Sequence, residues 1–165
     1  EVAKEMGLSD FECYETVKAG VYHDIGKLRL SRYIDGNYSS ALSSEEIKYM
    51  RMHAKLSHEI LEDRNFSQFM LDAVLYHHEN YDGSGYPSGL KGEEIPLGAR
   101  ILRACDVFVA LISHRSYRQG FDIDSAVGIM IDEIENYDME VFVAFQKTIN
   151  KLENRNTIEE KRLSL

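Results

Sequence analysis

The sequence lacks the features that mark membrane-spanning and secreted proteins. No apolar run approaches the ~18 residues of a transmembrane helix, and no basic segment followed by an apolar stretch marks a secretory signal. The two cysteines, Cys13 and Cys105, form neither a CxxC motif nor a disulfide framework. This pattern favours a reduced, cytoplasmic compartment and predicts no membrane contact.

Basic residues are also in the minority. The chain has 19 Lys and Arg against 28 Asp and Glu, which gives a net charge of −9. A nucleic acid polymer is therefore not an expected partner, because broad binding to one requires the neutralisation of many phosphates. A small anionic ligand remains compatible with this composition, since bound divalent metals can reverse the sign of charge in a site.

The amino-acid composition is typical of a globular protein. Hydrophobic residues make up 44% of the 165 positions and charged residues 28%, as in ordinary folded domains. The length suits one compact domain. Because the first residue is Glu1 rather than Met, we expect the sequence to be part of a longer protein.

Helical periodicity dominates the sequence and predicts an all-α fold. Ser9 and Glu12 have capping-box spacing, and four apolar residues then recur every three or four positions; these are Phe11, Tyr14, Val17 and Val21. We expect this helix to end near His23 with that face inward. Ser43 and Glu46 repeat the capping box before a second helix of about five turns, through Leu61. Four further helices are predicted over 68–78, 97–113, 123–134 and 141–152.

The predicted domain covers residues 1–152, and 153–165 form a charged helix end or linker. Two segments interrupt the helices. Residues 35–40 are rich in Gly, Asn and Ser, and residues 81–96 hold four of the eleven glycines and both prolines. A loop as long as residues 81–96 is uncommon between two helices unless it forms part of a functional site.

Several histidines and acids lie on predicted apolar helix faces or at helix ends. His23 is followed by Asp24, His77 by His78, and His53 and Asp106 lie among apolar residues. One inward histidine is usually a hydrogen-bonded core residue, but this many on four helices indicate a shared divalent metal site, with an Asp able to bridge two ions. His58 and His114 are interpreted as surface residues.

Two motifs carry a resemblance to a known family. HDIGK at 23–27 and HHENYDGSGYP at 77–87 resemble the HD-GYP family, a branch of the HD metallohydrolases that degrades cyclic di-GMP in bacterial signalling. The likeness covers nearly the whole chain and continues through residues 89–90, 94–96, 99–101, 106–108, 110–111 and 115–118. It implies an all-α bundle with a metal site between helices and a long glycine-rich loop.

The resemblance also implies roles for individual residues. Asp24 would bridge two divalent metal ions. Fe or Mn is the first expectation for these ions, and Zn, Ni or Mg is the second. One metal would take Asp24, His53, His77 and His78, and the other His23, Asp24 and Asp106. Asp24 and Lys27 would be catalytic. Substrate contacts would come from Lys27, Tyr86, Arg115 and Arg118.

The implied reaction is hydrolysis of cyclic di-GMP to linear pGpG and possibly GMP. Implied partners are the cyclic dinucleotide, a regulatory sensor or receiver domain, and diguanylate cyclase domains. Two alternatives stay open, namely an HD hydrolase acting on another cyclic dinucleotide or nucleotide phosphate, and a degenerate, non-enzymatic ligand-binding or interaction module.

The chain departs from the family pattern at several positions. Residues 1–22 contain no histidine, although members usually carry a further histidine ligand on a helix upstream of the HD pair. We expect that helix to precede Glu1 or to be absent from this member. Val109 replaces an Asp, Ala54 a Pro and Ser57 a Gly. No basic residue occurs in 38–42, where a lysine is expected.

Overall fold

The regular structure of the chain is helical. The computed structural model describes residues 1–30, 44–115 and 118–164, and in these ranges no β-strand occurs, which confirms the all-α prediction. The α-helices are α1 (Val2–Glu5), α2 (Asp10–Tyr22), α3 (Lys27–Leu30), α4 (Ser44–Arg51), α5 (His53–Glu62), α6 (Gln68–Tyr76), α7 (Leu97–Ile112), α8 (Ile123–Asp132), α9 (Met139–Asn150) and α10 (Leu152–Ser164). The predictions for Ser43 and for residues 35–40 and 38–42 lie outside the described residues.

Side-chain caps start the main helices at the positions that the sequence indicates. Ser9 accepts a hydrogen bond from the Glu12 amide, and the Glu12 carboxylate accepts one from the Ser9 amide, which completes the predicted capping box. Ser67 caps α6, and Asp138 caps α9. Within the described ranges no helix is long and apolar enough to cross a membrane.

The predicted five-turn helix is in fact two helices. α4 and α5 meet at Met52, whose amide donates to the carbonyl of Tyr49, three residues back. At this turn the carbonyl of Met50 accepts from the imidazole of His53. The break therefore starts a new helix at His53 and directs its side chain into the protein, where it is 1% exposed.

Two clusters of apolar side chains form the core. The smaller one joins α2, α5, α6 and α7 through short side chains such as Ala19 and Ala73. The larger one joins α1, α7, α8 and α9, and Ile158 of α10 packs against it. Residues 152–164, predicted as a helix end or linker, are thus a helix, and their separation from the domain stays a prediction.

The predicted inward face of α2 is wrong. Phe11, Tyr14, Val17 and Val21 are each 60–70% exposed, while Glu15 and Ala19 are buried. The small side chain of Ala19 allows α2 to pack closely against α6. Glu15 accepts a hydrogen bond from Ser67 and pairs with Lys18, so the acid is satisfied where it is buried.

Candidate metal centre

The predicted metal ligands come together at the ends of packed helices. α6 packs against α2, α5 and α7. His23 is the C-cap of α2, His77 is the C-cap of α6, and His53 is the first residue of α5. Asp106 faces them from the middle of α7. Helix C-termini carry partial negative charge, so this arrangement favours a cation among these residues.

Three of the histidines are held in the same way. The Nδ1 atoms of His23, His53 and His77 lie 2.9, 2.6 and 2.6 Å from the carbonyl oxygen of the residue three positions back. These carbonyls belong to Gly20, Met50 and Val74. Because a carbonyl oxygen can only accept, Nδ1 must carry the proton in each ring. Nε2 is therefore the nitrogen that is available to a metal.

The Nε2 atoms of His53, His77 and His78 converge on one point. His53 Nε2 lies 3.3 Å from His77 Nε2 and 3.1 Å from His78 Nε2. With Nδ1 protonated in neutral His53 and His77, no hydrogen stands between their Nε2 atoms, so two lone pairs face each other. A shared cation removes this repulsion, and three imidazoles are a donor set that divalent transition metals accept.

A second group of potential ligands consists of His23, Asp24 and His77. The Asp24 carboxylate lies between the two groups, with Oδ1 3.3 Å from His53 Nε2 and Oδ2 3.4 Å from His23 Nε2. Oδ1 is buried and has no hydrogen-bond partner among the described residues. Such an orphaned carboxylate oxygen next to imidazole nitrogens fits the predicted bridging ligand.

Asp106 approaches His23 from α7, although it belongs to neither of the two groups of potential ligands. Its Oδ1 lies 3.4 Å from His23 Nε2. Burial acts to raise the pKa of Asp106, but the hydrogen bond with His23 and the charge of that ring lower it to about 2. Burial likewise opposes protonation of His23, yet its bond to Asp106 and the charge of Asp24 raise its pKa above the ordinary value. Asp106 is therefore anionic at neutral pH.

His53, His77 and His78 are electrically neutral. Burial lowers the pKa of His77 to about 3 and that of His78 to about 2, and it also lowers the pKa of His53. A metal must compete with a proton for an imidazole nitrogen, and here the proton is already disfavoured. Neither group of potential metal ligands includes His58 or His114.

Ser57 fixes the turn that carries His23 and Asp24. Its hydroxyl donates to the carbonyl of His23 at 2.6 Å and accepts from the amide of Gly26 at 2.8 Å. A Cβ on Gly26 would stand 2.3 Å from the carbonyl oxygen of His53, so only glycine allows this close approach to α5. The sequence marks Ser57 only as a departure from the family pattern and does not predict its role, because its partners are more than 30 residues away.

Glu79 anchors the glycine-rich loop above the metal centre. The side chain is 2% exposed, and its carboxylate accepts from the amides of Ser88, Gly89 and Leu90 at 2.7, 3.1 and 3.1 Å. The loop thereby places the Tyr86 ring against His78, with centroids 4.7 Å apart and planes at 25°. Glu79 follows the paired histidines directly but was missed, because the loop amides that it binds are not visible in the sequence.

The predicted substrate contacts differ in their positions. Lys27 Nζ lies 2.6 Å from Asp24 Oδ2, and Tyr86 covers His78, so both border the centre. Arg118 instead donates to the carbonyls of Ala110 and Leu111 at 2.9 and 3.1 Å, at the end of α7. Arg115 is exposed. Contact of Arg115 and Arg118 with a substrate stays a prediction.

Comparison with known proteins relates this arrangement to established families. A family model described as HD domain matches residues 1–141. The cyclic di-GMP phosphodiesterase response regulator RpfG of Xanthomonas campestris is 38% identical over 131 residues, which cover 78% of this chain and 34% of that protein. The 3'3'-cGAMP-specific phosphodiesterase 3 of Vibrio cholerae is 34% identical over 157 residues, which cover 94% of this chain and 34% of that protein.

A solved structure has the same fold. The crystal structure of a cyclic GMP-AMP-specific phosphodiesterase from V. cholerae superimposes with a TM-score of 0.70 at 18% sequence identity. The match covers 95% of this chain and 43% of that chain. This chain therefore spans about a third of the length of the curated relatives named above.

Proposed function

Because the chain belongs to the HD-GYP family of HD-domain proteins, we propose that it is a metal-dependent phosphodiesterase acting on cyclic di-GMP. The products would be linear pGpG and possibly GMP. The observation that carries this proposal is the convergence of three imidazole Nε2 atoms and an orphaned Asp24 oxygen on one centre. Curated relatives with the same domain are named as cyclic di-GMP phosphodiesterases, which supports the substrate.

The donor set fits two divalent transition metals. His53, His77 and His78 with Asp24 would hold one, and His23, Asp24 and Asp106 the other. Fe or Mn is the leading choice before Zn, Ni or Mg, since His and Asp donors accept all of these and geometry and supply select among them. When bound, such metals make a water molecule a nucleophile at neutral pH and neutralise phosphate charge.

The chain's own residues orient the carboxylates and the substrate. The Lys27 ammonium binds Asp24 Oδ2 and so leaves Oδ1 directed at His53. Because the Lys27 side chain is exposed to solvent, its ammonium would also be accessible to a substrate phosphate at the centre. Tyr86 covers His78 and would exclude bulk water from that side of the centre.

The test is hydrolysis of cyclic di-GMP by the purified chain loaded with Mn or Fe, followed by chromatography of the products. His53→Ala should abolish hydrolysis and remove bound metal. His58→Ala is the matched control, because His58 lies on the same helix outside the cluster. A loaded wild-type chain that leaves cyclic di-GMP intact would contradict the proposal.

A second substrate is supported by one comparison. The 34% identical V. cholerae relative is named as specific for 3'3'-cGAMP. A panel of cyclic di-GMP, 3'3'-cGAMP and mononucleotide esters, compared by kcat/KM, separates this alternative from the main proposal. Metal stoichiometry tests the non-enzymatic alternative, since two ions per chain support catalysis and none or one supports a binding module.

The regulatory context is part of the same proposal. One relative is named as a response regulator, which supports control by a receiver domain in a longer chain. Membership of the HD-GYP family also leads us to propose diguanylate cyclase domains as partners and a cytoplasmic location. Control by a receiver domain would be tested by expressing such a domain separately and measuring whether it co-purifies with this chain.

A further inference from the structure

Two arginines outside the family motifs border the metal centre. Arg51 is the last residue of α4, and its Cζ lies 5.2 Å from the centroid of the Tyr86 ring. Arg103 lies on α7 three residues before Asp106, about 4.5 Å along the helix axis at 1.5 Å per residue. Arg103 donates to Asn80, which lies two residues after His78, and a Cβ on Gly85, next to Tyr86, would stand 2.3 Å from the amide nitrogen of Asn80.

Among the described residues, no acid pairs with either arginine. In the described part of the chain, Arg51 and Arg103 form no ion pair, although acids outnumber bases and the net charge is −9. Arg29, Arg100 and Arg155 each have a carboxylate partner instead. Two unpaired guanidinium groups beside one loop indicate a place for an anion that the protein itself does not supply.

The local contacts orient Arg103 for such a role. Its Nε donates to Asn80 Oδ1 at 3.1 Å, and Asn80 in turn donates to Ser84 at 2.9 Å. Asn80 thus fixes one edge of the guanidinium. No described residue accepts from its two terminal nitrogens, which are the pair that binds a phosphate in forked geometry. Arg118 differs, because both of its terminal nitrogens already donate to carbonyls.

We propose that Arg51, which lies against Tyr86, and Arg103, which donates to Asn80 of the same loop, form a second phosphate subsite that binds the non-scissile phosphodiester of a cyclic dinucleotide. This inference rests on the proposed function. A cyclic dinucleotide carries two phosphodiesters in one ring, so a molecule with one of them at the metals must place the other close by. Tyr86, against which Arg51 lies, stacks on His78, and Arg103 lies about one helical turn from Asp106 on α7.

The test compares a substrate with two phosphates and a substrate with one. Arg51→Gln and Arg103→Gln should each raise KM for cyclic di-GMP about 10- to 100-fold, the range for loss of a charge-assisted hydrogen bond, with kcat changed far less. Hydrolysis of bis(p-nitrophenyl) phosphate should fall less than about threefold. Arg64→Gln, an exposed arginine after α5, is the matched control and should behave as wild type with both substrates.

The outcomes separate the possible explanations. Equal losses with both substrates would overturn the subsite, since the arginines would then act through the metal centre. Unchanged KM for cyclic di-GMP would overturn it directly. Arg103→Lys, which keeps the charge but not the fork, should give an intermediate KM, and metal content and thermal melting of each variant show that it has folded.

The test remains decisive if the proposed function fails. A wild-type chain that cleaves bis(p-nitrophenyl) phosphate but not cyclic di-GMP contradicts that function. Cyclic di-GMP is then used as a competitive inhibitor of the cleavage. The subsite requires that Arg51→Gln and Arg103→Gln weaken the inhibition about tenfold or more while Arg64→Gln does not, and equal inhibition of all variants refutes it.

Discussion

Replacing Glu79 with glutamine should release the loop that holds Tyr86 over the metal centre. In the structure the buried carboxylate receives three backbone amides, from Ser88, Gly89 and Leu90. Glutamine has the same shape but only one acceptor oxygen, and its amino group would face an amide that is itself a donor. The substitution therefore removes at least one bond and the negative charge that strengthens the others.

The expected size of the effect follows from these bonds. A hydrogen bond to a charged group contributes about 1.5–3 kcal/mol, and a buried donor left without a partner adds a further cost. We expect the free energy of local opening to fall by about 3 kcal/mol, which is about a 100-fold rise in the open population. The rest of the fold should be affected less, because the loop contributes little to either apolar cluster.

Native-state hydrogen exchange measures this opening directly. In Glu79→Gln the amides of Ser88, Gly89 and Leu90 should exchange about 100-fold faster, while amides in α6 and α7 keep their protection. Glu93→Gln is the matched control, since Glu93 is an exposed acid on the same loop. Equal protection of the three amides in Glu79→Gln and wild type would refute the anchoring role.

Two further substitutions test the turn that carries the first ligands. Ser57→Ala leaves the carbonyl of His23 and the amide of Gly26 without their partner, so urea unfolding should show a loss of about 2–4 kcal/mol, and a loss near zero would contradict this contact. Gly26→Ala forces the turn away from the carbonyl of His53 and should reduce bound metal below one ion per chain by elemental analysis. Gly128→Ala, whose added Cβ meets nothing within 4 Å, should retain the wild-type metal content.

The sequence predicted the parts of the site that depend on local patterns. The Ser9–Glu12 capping box and the apolar periodicity located most helices, and the paired residues His23–Asp24 and His77–His78 marked helix ends. Periodicity failed for α2, because it identifies an apolar face but not the neighbour that covers it, and Phe11 is exposed. A repeated apolar spacing also continued across Met52, where a single turn separates two helices.

The residues that were missed depend on contacts between distant segments. Ser57 joins α5 to the turn at Gly26, and Glu79 joins the end of α6 to amides about ten residues further along the loop. Arg51 and Arg103 of the proposed phosphate subsite lie 52 positions apart in the chain, and Arg51 contacts the Tyr86 ring. Each of these residue types is common on protein surfaces, so only the three-dimensional arrangement distinguishes them from solvated side chains.

Backbone carbonyls fix the orientation of three predicted ligand histidines. Three imidazoles are each fixed by the carbonyl three residues earlier, and every one of these carbonyls belongs to the last turn of a helix or to the turn that precedes one. A helix end leaves carbonyls without amide partners, so a histidine placed there satisfies the backbone and presents Nε2 in a single step. The same helix ends direct their partial negative charge toward the centre. The orientation of the predicted ligands and the preference for a cation therefore arise from one local feature, the end of a helix. For His53 this is the end of α4, directly before α5 begins.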